Sequence, residues 1–272
     1  MITGLHHVAV VLPDADLALK FFRDLMGLTV TADQVVEEQG VRGVLLACGE
    51  NEIELLQPTR ADTGVSRFLD SRGPTLHHFC FSTDDIRGEL ARIEALGLEI
   101  IDKTPRVGLA GEVAFIHPRS MHGVLVELAQ PPAGAHASTA KGFDHLAVRV
   151  SDLQAAAKRW NDVVGLPLVN TIGPSDTGTL IGQMPTGQCM VELIAPATPE
   201  AALAKQIAEN GEGAASMVAI EVQDIAAEVA RYRAAGITIP DATPGVLPNS
   251  VRTSISADQA FGLSIQLIQF KR

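Results

Sequence analysis

The sequence repeats itself on two scales, and this limits the folds open to it more than any other feature. Leu5-His6-His7 returns as Leu76-His77-His78, and Glu54, between an apolar residue and Leu, returns at nearly the same separation as Glu127 in the same setting. A segment of roughly 70 residues is therefore one supersecondary unit used twice. In each copy a short β-rich run ends near an Asp (Asp14, Asp85), and apolar residues then follow at helical spacing: Leu17, Phe21 and Leu25, then Ile86, Leu90 and Ile93. Gly27 and Gly97 close those helices where a left-handed residue is wanted.

The second half repeats the first. His145, Ala147, Asp152, Gly165, Leu166, Glu192 and Pro196 follow His7, Ala9, Asp14, Gly27, Leu28, Glu54 and Pro58, each pair at one constant offset. Past one inserted residue that offset grows by a single position, and Asp224-Ile225, Gly236, Pro244 and Gly262 match Asp85-Ile86, Gly97, Pro105 and Gly123. The expected class is α+β, with four βαβββ-like modules in two tandem domains, residues 1–132 and 142–272. Between them, residues 133–141 continue the small, unpatterned run that Pro131-Pro132 opens, which reads as a linker. At 272 residues, two domains of about 130 each are long enough to bury cores.

Two imidazoles and two carboxylates, His7, Glu54, His78 and Glu127, stand at matching module positions in apolar strands, and together they are the donor set of an open divalent-metal site. Alternate residues of a strand share a face, so one histidine of each pair can point with the carboxylates. Asp144-His145-Leu146-Ala147 keeps the second histidine and replaces the first, which selects His7 and His78 and leaves His6 and His77 as supporting or outer-face residues. A lone strand histidine is more often a core residue than a ligand, and a strand glutamate can simply face water. An unpaired charge within an apolar run costs several kcal/mol, however, and a divalent cation offsets it. In the second half Met217 and Gln266 replace the other two donors, and a thioether is a poor ligand for a hard ion, so this half is expected to bind no metal.

The net charge of -11, with no run of Lys or Arg, argues against a nucleic-acid or acidic-membrane partner. Cys48, Cys80 and Cys189 form no close-spaced metal pair and read as buried core thiols. Trp160 and Tyr232, at apolar helical spacing, read as core. MITGLHHVAV lacks a basic, cleavable leader pattern, and no run of 18 apolar residues occurs, so the expected location is cytoplasmic.

With LHHVAVVLPDADLALKFF, EEQGVRGVLLACGENEIELLQP, GPTLHHFCFSTDDI and PRVGLAGEVAFIHPRSMHGVLVELAQ, residues 4 to 131 resemble the vicinal oxygen chelate superfamily, whose βαβββ modules pair into curved-sheet, metal-holding cups. The likeness is greatest to its methylmalonyl-CoA epimerases, and His117-Pro118-Arg119-Ser120 is the more specific part of it. The resemblance implies an isomerase with Co, Mn, Zn or Ni held by His7, Glu54, His78 and Glu127. It also implies a small-molecule substrate, an acyl-CoA or another α-acidic carbonyl compound, and a homodimer, or a second domain covering the first as a protomer would. Glu127, with Glu54 second, would be the base. Some epimerases carry another catalytic Glu three residues after a Gln-Gly pair, but after Gln39-Gly40 that position is Gly43.

The chemistry expected of such a site is α-proton removal with the enolate charge held by the metal. The same donors would serve a glyoxalase I-type isomerase, and a non-catalytic binding protein of the resistance type is the alternative of another class. An extradiol dioxygenase fits less well, since tandem members keep the catalytic set in the second half. Lys103, Arg106, Arg119 and Arg42 are candidates for a basic rim toward CoA, with scattered surface charge as the competing reading.

Overall fold

The computed structural model describes residues 1–132 and 142–271, so the linker expected at 133–141 lies outside the described residues. Its elements follow the repeat. The first module is β1 (Ile2–Val11), α1 (Ala15–Leu19), β2 (Thr29–Val36), β3 (Val41–Cys48) and β4 (Asn51–Pro58), with α1 running on as a π-helical stretch, Lys20–Leu25. After α2 (Gly64–Arg72), the second is β5 (Thr75–Thr83), α3 (Ile86–Ala95), β6 (Arg106–Gly108), β7 (Gly111–Ile116) and β8 (Val126–Gln130). The third comprises β9 (Gly142–Arg149), α4 (Leu153–Val164), β10 (Asn170–Ile172), β11 (Thr179–Thr186) and β12 (Cys189–Pro196). Following α5 (Ala202–Asn210), the fourth is β13 (Gly213–Glu221), α6 (Ile225–Ala234), β14 (Thr243–Pro244), β15 (Ser250–Ile255) and β16 (Ser264–Phe270).

The α+β expectation of four βαβββ modules is thus met, with strands in two curled eight-stranded sheets ordered β2-β3-β4-β1-β5-β8-β7-β6 and β10-β11-β12-β9-β13-β16-β15-β14. Each module helix starts on the aspartate that the repeat singled out. The side chains of Asp14, Asp85, Asp152 and Asp224 accept from backbone N–H groups two or three residues on, satisfying donors that the first turn leaves open. Past α4, Gly165 takes a left-handed φ of 72°, the C-terminal stop that costs a Cβ-bearing residue most.

By packing density the chain divides into two compact units, one holding Met1–His6, the chain from His78 through β8 and His145–Ala215, the other His7–His77 and the chain from Ser216. In the first, Trp160 of α4 is fully buried with its ring 6.5 and 6.3 Å from those of Phe79 and Phe81. Arg92, anchored by Glu89 of its own helix, donates to the carbonyls of Asp162 and Val163, where α4 ends and cations are favoured. In the second unit Tyr232 is fully buried against Phe21, and Arg231, held by Glu228, donates to the Leu25 carbonyl. Arg92 and Arg231, which occupy the same position of the repeat, therefore make the same contact in the two units. All three cysteines are buried and free, as expected. Among the described residues no helix is long and apolar enough to cross a membrane.

Candidate metal centre

The register of β1 and β4 sets the first pair of donors. The two strands run parallel with Ala9 beside Glu54 and His7 beside Glu52, and β3 lies antiparallel on the far side with Leu45 beside Glu54. His7, Ala9 and Val11 consequently share a face with Glu52, Glu54 and Leu56. On that face the His7 Nε2 atom is 3.4 Å from a Glu54 carboxylate oxygen, with side chains 1% and 7% exposed. The wall beyond is apolar: Ala9, Val11, Val41 and Leu56 pack under Val65, Phe68 and Leu69 of α2.

The second pair repeats this arrangement. Strands β5 and β8 run parallel with Cys80 beside Glu127, and His78 Nε2 is 3.3 Å from a Glu127 oxygen, with side chains 2% and 8% exposed. Phe115, next to Glu127 on β7, presents its ring edge-on to His78 at 5.2 Å. Cys80, Ala110, Val113 and Ala129 form the apolar wall here. Each histidine and carboxylate is thus held in surroundings where charge is expensive unless matched.

Ligand atoms of His7, Glu54 and His78 all lie within 4.8 Å of one another, and Glu127 is placed beside them through its contact with His78. Two buried imidazoles and carboxylate oxygen are a donor set that suits Zn, Co, Ni or Mn better than a soft ion or a hard alkaline-earth ion. A second grouping, His6, His7 and Cys80, is equally close, which makes His6 a buried neighbour of the cluster rather than an outer-face residue. His77 instead packs edge-on against Phe68 of α2, at 4.8 Å.

Sequence reasoning passed over Glu52. It is 4% exposed, two residues before Glu54 and on the same face, and Thr31 donates to it at 2.5 Å. The period-2 pattern of Glu52-Ile53-Glu54 carried the signal, but Thr31 did not: it is the extra residue where the β2–β3 register shifts, a bulge that re-aims one side chain. Gly43, in place of a possible acid, sits between Gln34 and Leu56 on this face.

The expected basic rim divides. Arg42 is committed to Asp33 at 2.9 and 2.8 Å and to Asp16 of α1 at 2.9 Å, bonds that hold its pKa above the ordinary value. Lys103 pairs with Glu94 at 2.8 Å and Arg119 with Glu99 at 3.4 Å. Arg106 lies over the Phe115 ring at 5.5 Å, so of the four it is the one stacked on a wall residue of the centre.

Among the described residues of the third and fourth modules no such group of three donors comes together. Ala147 lies beside Glu192 as Ala9 does beside Glu54, but His145 and Glu192 are 3.9 Å apart and more exposed, at 14% and 13%. Where Leu45 faces Glu54, Gln183 faces Glu192 and donates to it at 3.0 Å, itself held by Asn170. An amide thus bonds to Glu192 from the strand position where the first half has a leucine. Met217 and Gln266 occupy the strand positions of His78 and Glu127.

Comparison with known proteins bears on both halves. The sequence matches the Glyoxalase/Bleomycin resistance protein/Dioxygenase superfamily over residues 6–115 and 144–250. It is 35% identical over 127 residues to the mitochondrial methylmalonyl-CoA epimerase of Dictyostelium discoideum, covering 46% of this chain and 76% of that one. It is 33% identical over 134 residues to the ethylmalonyl-CoA/methylmalonyl-CoA epimerase of Cereibacter sphaeroides, covering 48% and 99%. A mutant 4-hydroxymandelate synthase from Streptomyces coelicolor matches in fold, with a TM-score of 0.74 at 19% identity over 99% of this chain and 93% of that one.

Proposed function

Because the chain belongs to the glyoxalase/bleomycin resistance/dioxygenase superfamily, we propose that it is a divalent-metal-dependent isomerase that moves the α-proton of an acyl-CoA thioester, as a methylmalonyl-CoA epimerase does. The observation that carries this reading is the buried cluster of His7, Glu54 and His78, with Glu127 on His78, in the half whose sequence motifs resemble those of the epimerases. These four residues would hold Co, Mn, Zn or Ni, and a bound ion supplies Lewis-acid stabilisation to an enolate oxygen.

The chain's own residues do the rest. Epimerisation removes a proton from one face of a carbon and returns one to the other, which calls for two proton-holding groups. In the order β4-β1-β5-β8, the strands of Glu54 and Glu127 flank the two histidine strands, so the carboxylates come from opposite sides. Glu127 is the first base and Glu54 the second, because Gly43 brings no acid to this face. The apolar walls under α2 and around Cys80 keep water from competing and strengthen each charge interaction. Residues 1–132 form the catalytic domain on this reading, and residues 142–272 a degenerate one that holds no metal.

The test follows the α-proton signal of methylmalonyl-CoA by NMR in heavy water, with the metal-loaded chain and a panel of other acyl-CoA esters and α-keto compounds. Loss of the signal that stops on chelation and returns with metal is expected. Exchange with none of the compounds would overturn the reading, and turnover of a hemithioacetal alone would replace it with a glyoxalase I-type reaction.

A further inference from the structure

The face of the second sheet that corresponds to the face of His7 and Glu54 in the first has Met217 and Gln266 in place of two candidate donors, yet it has not become an apolar surface. Arg149 is on it, one residue past Val148 and on the same side as Ala147, with Ile194 beside it on β12. Its counterpart in the first half is Val11, fully buried in the apolar cluster under α2. Two other members of that cluster change in the same sense: Val41 corresponds to Thr179 and Phe68 to Gln206. Three apolar positions that seal the first half are thus polar residues in the second.

Arg149 is incompletely satisfied there. A guanidinium has five N–H donors, and the hydrogen bond this one makes among the described residues is to the Ala214 carbonyl, at 3.1 Å. Burial pushes its pKa below the ordinary arginine value, with no carboxylate acting in the other direction. Glu192, two residues from Ile194, is engaged by Gln183 and faces His145. A partly buried cation without a counter-charge costs free energy, and an oxyanion would offset that cost. Access is open, since Thr179, Glu192, Ile194 and Arg149 are all half-exposed, whereas Val11, Val41 and Glu54 are buried.

We propose that the second half carries a metal-independent oxyanion site centred on Arg149, which takes the carboxylate or phosphate group of a small molecule. This goes beyond the isomerase reading and does not depend on it. The guanidinium fork matches either group in the same bidentate way. Thr179, at the position of Val41, brings a hydroxyl to the same face, 3.3 Å from the hydroxyl of Thr177.

The test uses the full metal-stripped chain and two probes, inorganic phosphate and malonate, with binding followed by calorimetry and melting temperature at constant ionic strength. Saturable binding of one or both is expected, and which probe binds tells phosphate from carboxylate recognition. Arg149→Leu should weaken it about 10- to 100-fold, as befits loss of a charge-assisted hydrogen bond, and Arg149→Gln nearly as much. In anion-free buffer Arg149→Leu should melt at or above the wild-type temperature, because a partly buried cation without a counter-charge is gone. Absence of saturable binding in the wild type, or unchanged affinity in Arg149→Gln, overturns the proposal. So does a lower melting temperature of both variants in anion-free buffer, which would make Arg149 a purely structural residue.

Discussion

Replacing His78 with alanine separates what this residue does for the fold from its proposed role as a metal ligand. The side chain is 2% exposed, 3.3 Å from a Glu127 oxygen and edge-on to Phe115 at 5.2 Å. Without metal, losing one partner of a buried carboxylate should cost about 1–3 kcal/mol. With metal at about 100 times its dissociation constant, the wild type gains a further ~2.7 kcal/mol by mass action. The unfolding entropy of a domain of about 130 residues turns that into a rise of roughly 10 °C, or roughly 5 °C if the whole chain melts as one unit. Scanning calorimetry of both proteins, stripped and reloaded, reads the two effects apart: His78→Ala should melt lower when stripped and gain almost nothing on reloading. A metal-dependent rise of wild-type size in the variant would refute the ligand assignment even if the stripped proteins differed as expected.

Other outcomes follow from the same geometry. Glu127→Gln should keep much of the metal affinity, since an amide oxygen still coordinates, yet slow α-proton exchange about 10²–10⁴-fold; equal exchange rates in the two proteins would place the base elsewhere. Met217→His with Gln266→Glu should create a second metal equivalent only when Gln183→Leu also frees Glu192 from its amide, and metal analysis of the double and triple variants checks this order. Burial alone would raise the Glu212 carboxyl, but hydrogen bonds from Ser151 and His122 hold it below its ordinary value of 4.5. Its contribution is therefore fully present above about pH 4.5 and lost as pH falls through the lowered folded value, so Glu212→Gln should flatten the acid limb of stability in urea titrations; an unchanged limb would show that the pair contributes nothing. Arg92→Ala should lower stability by about 1–2 kcal/mol through the uncapped carbonyls at the end of α4, and a change within error would deny that cap a role.

Much of this was legible in the sequence because the repeat is a physical signal. A constant offset puts Asp14, Asp85, Asp152 and Asp224 at four helix starts, and all four cap as expected. The candidate donors were chosen on the same ground: strand alternation and the surviving His145 point to His7 and His78 over their neighbours, and His7, Glu54 and His78 do come together. What escaped depends on register or on distance along the chain. Glu52 becomes interesting only once β1 is set against β4, and its bond from Thr31 needs a bulge that no residue pattern announces. Arg42 looked available for a substrate until the strand turned it to Asp16 of α1. His6 sits close to His7 and Cys80, a contact that strict face alternation along β1 does not announce. The contact of Arg92 with the end of α4 joins distant parts of the chain, beyond any local periodicity, although its twin at Arg231 was open to view.

The central claim is that one divalent ion sits among His7, Glu54, His78 and Glu127, and nowhere in the second half. Anomalous diffraction from crystals of the cobalt-loaded chain measures this directly. A single peak within about 2.0–2.3 Å of the histidine nitrogens and carboxylate oxygens of those four residues is the predicted result. A peak at His145 and Glu192, or none at His7 and His78, would contradict it.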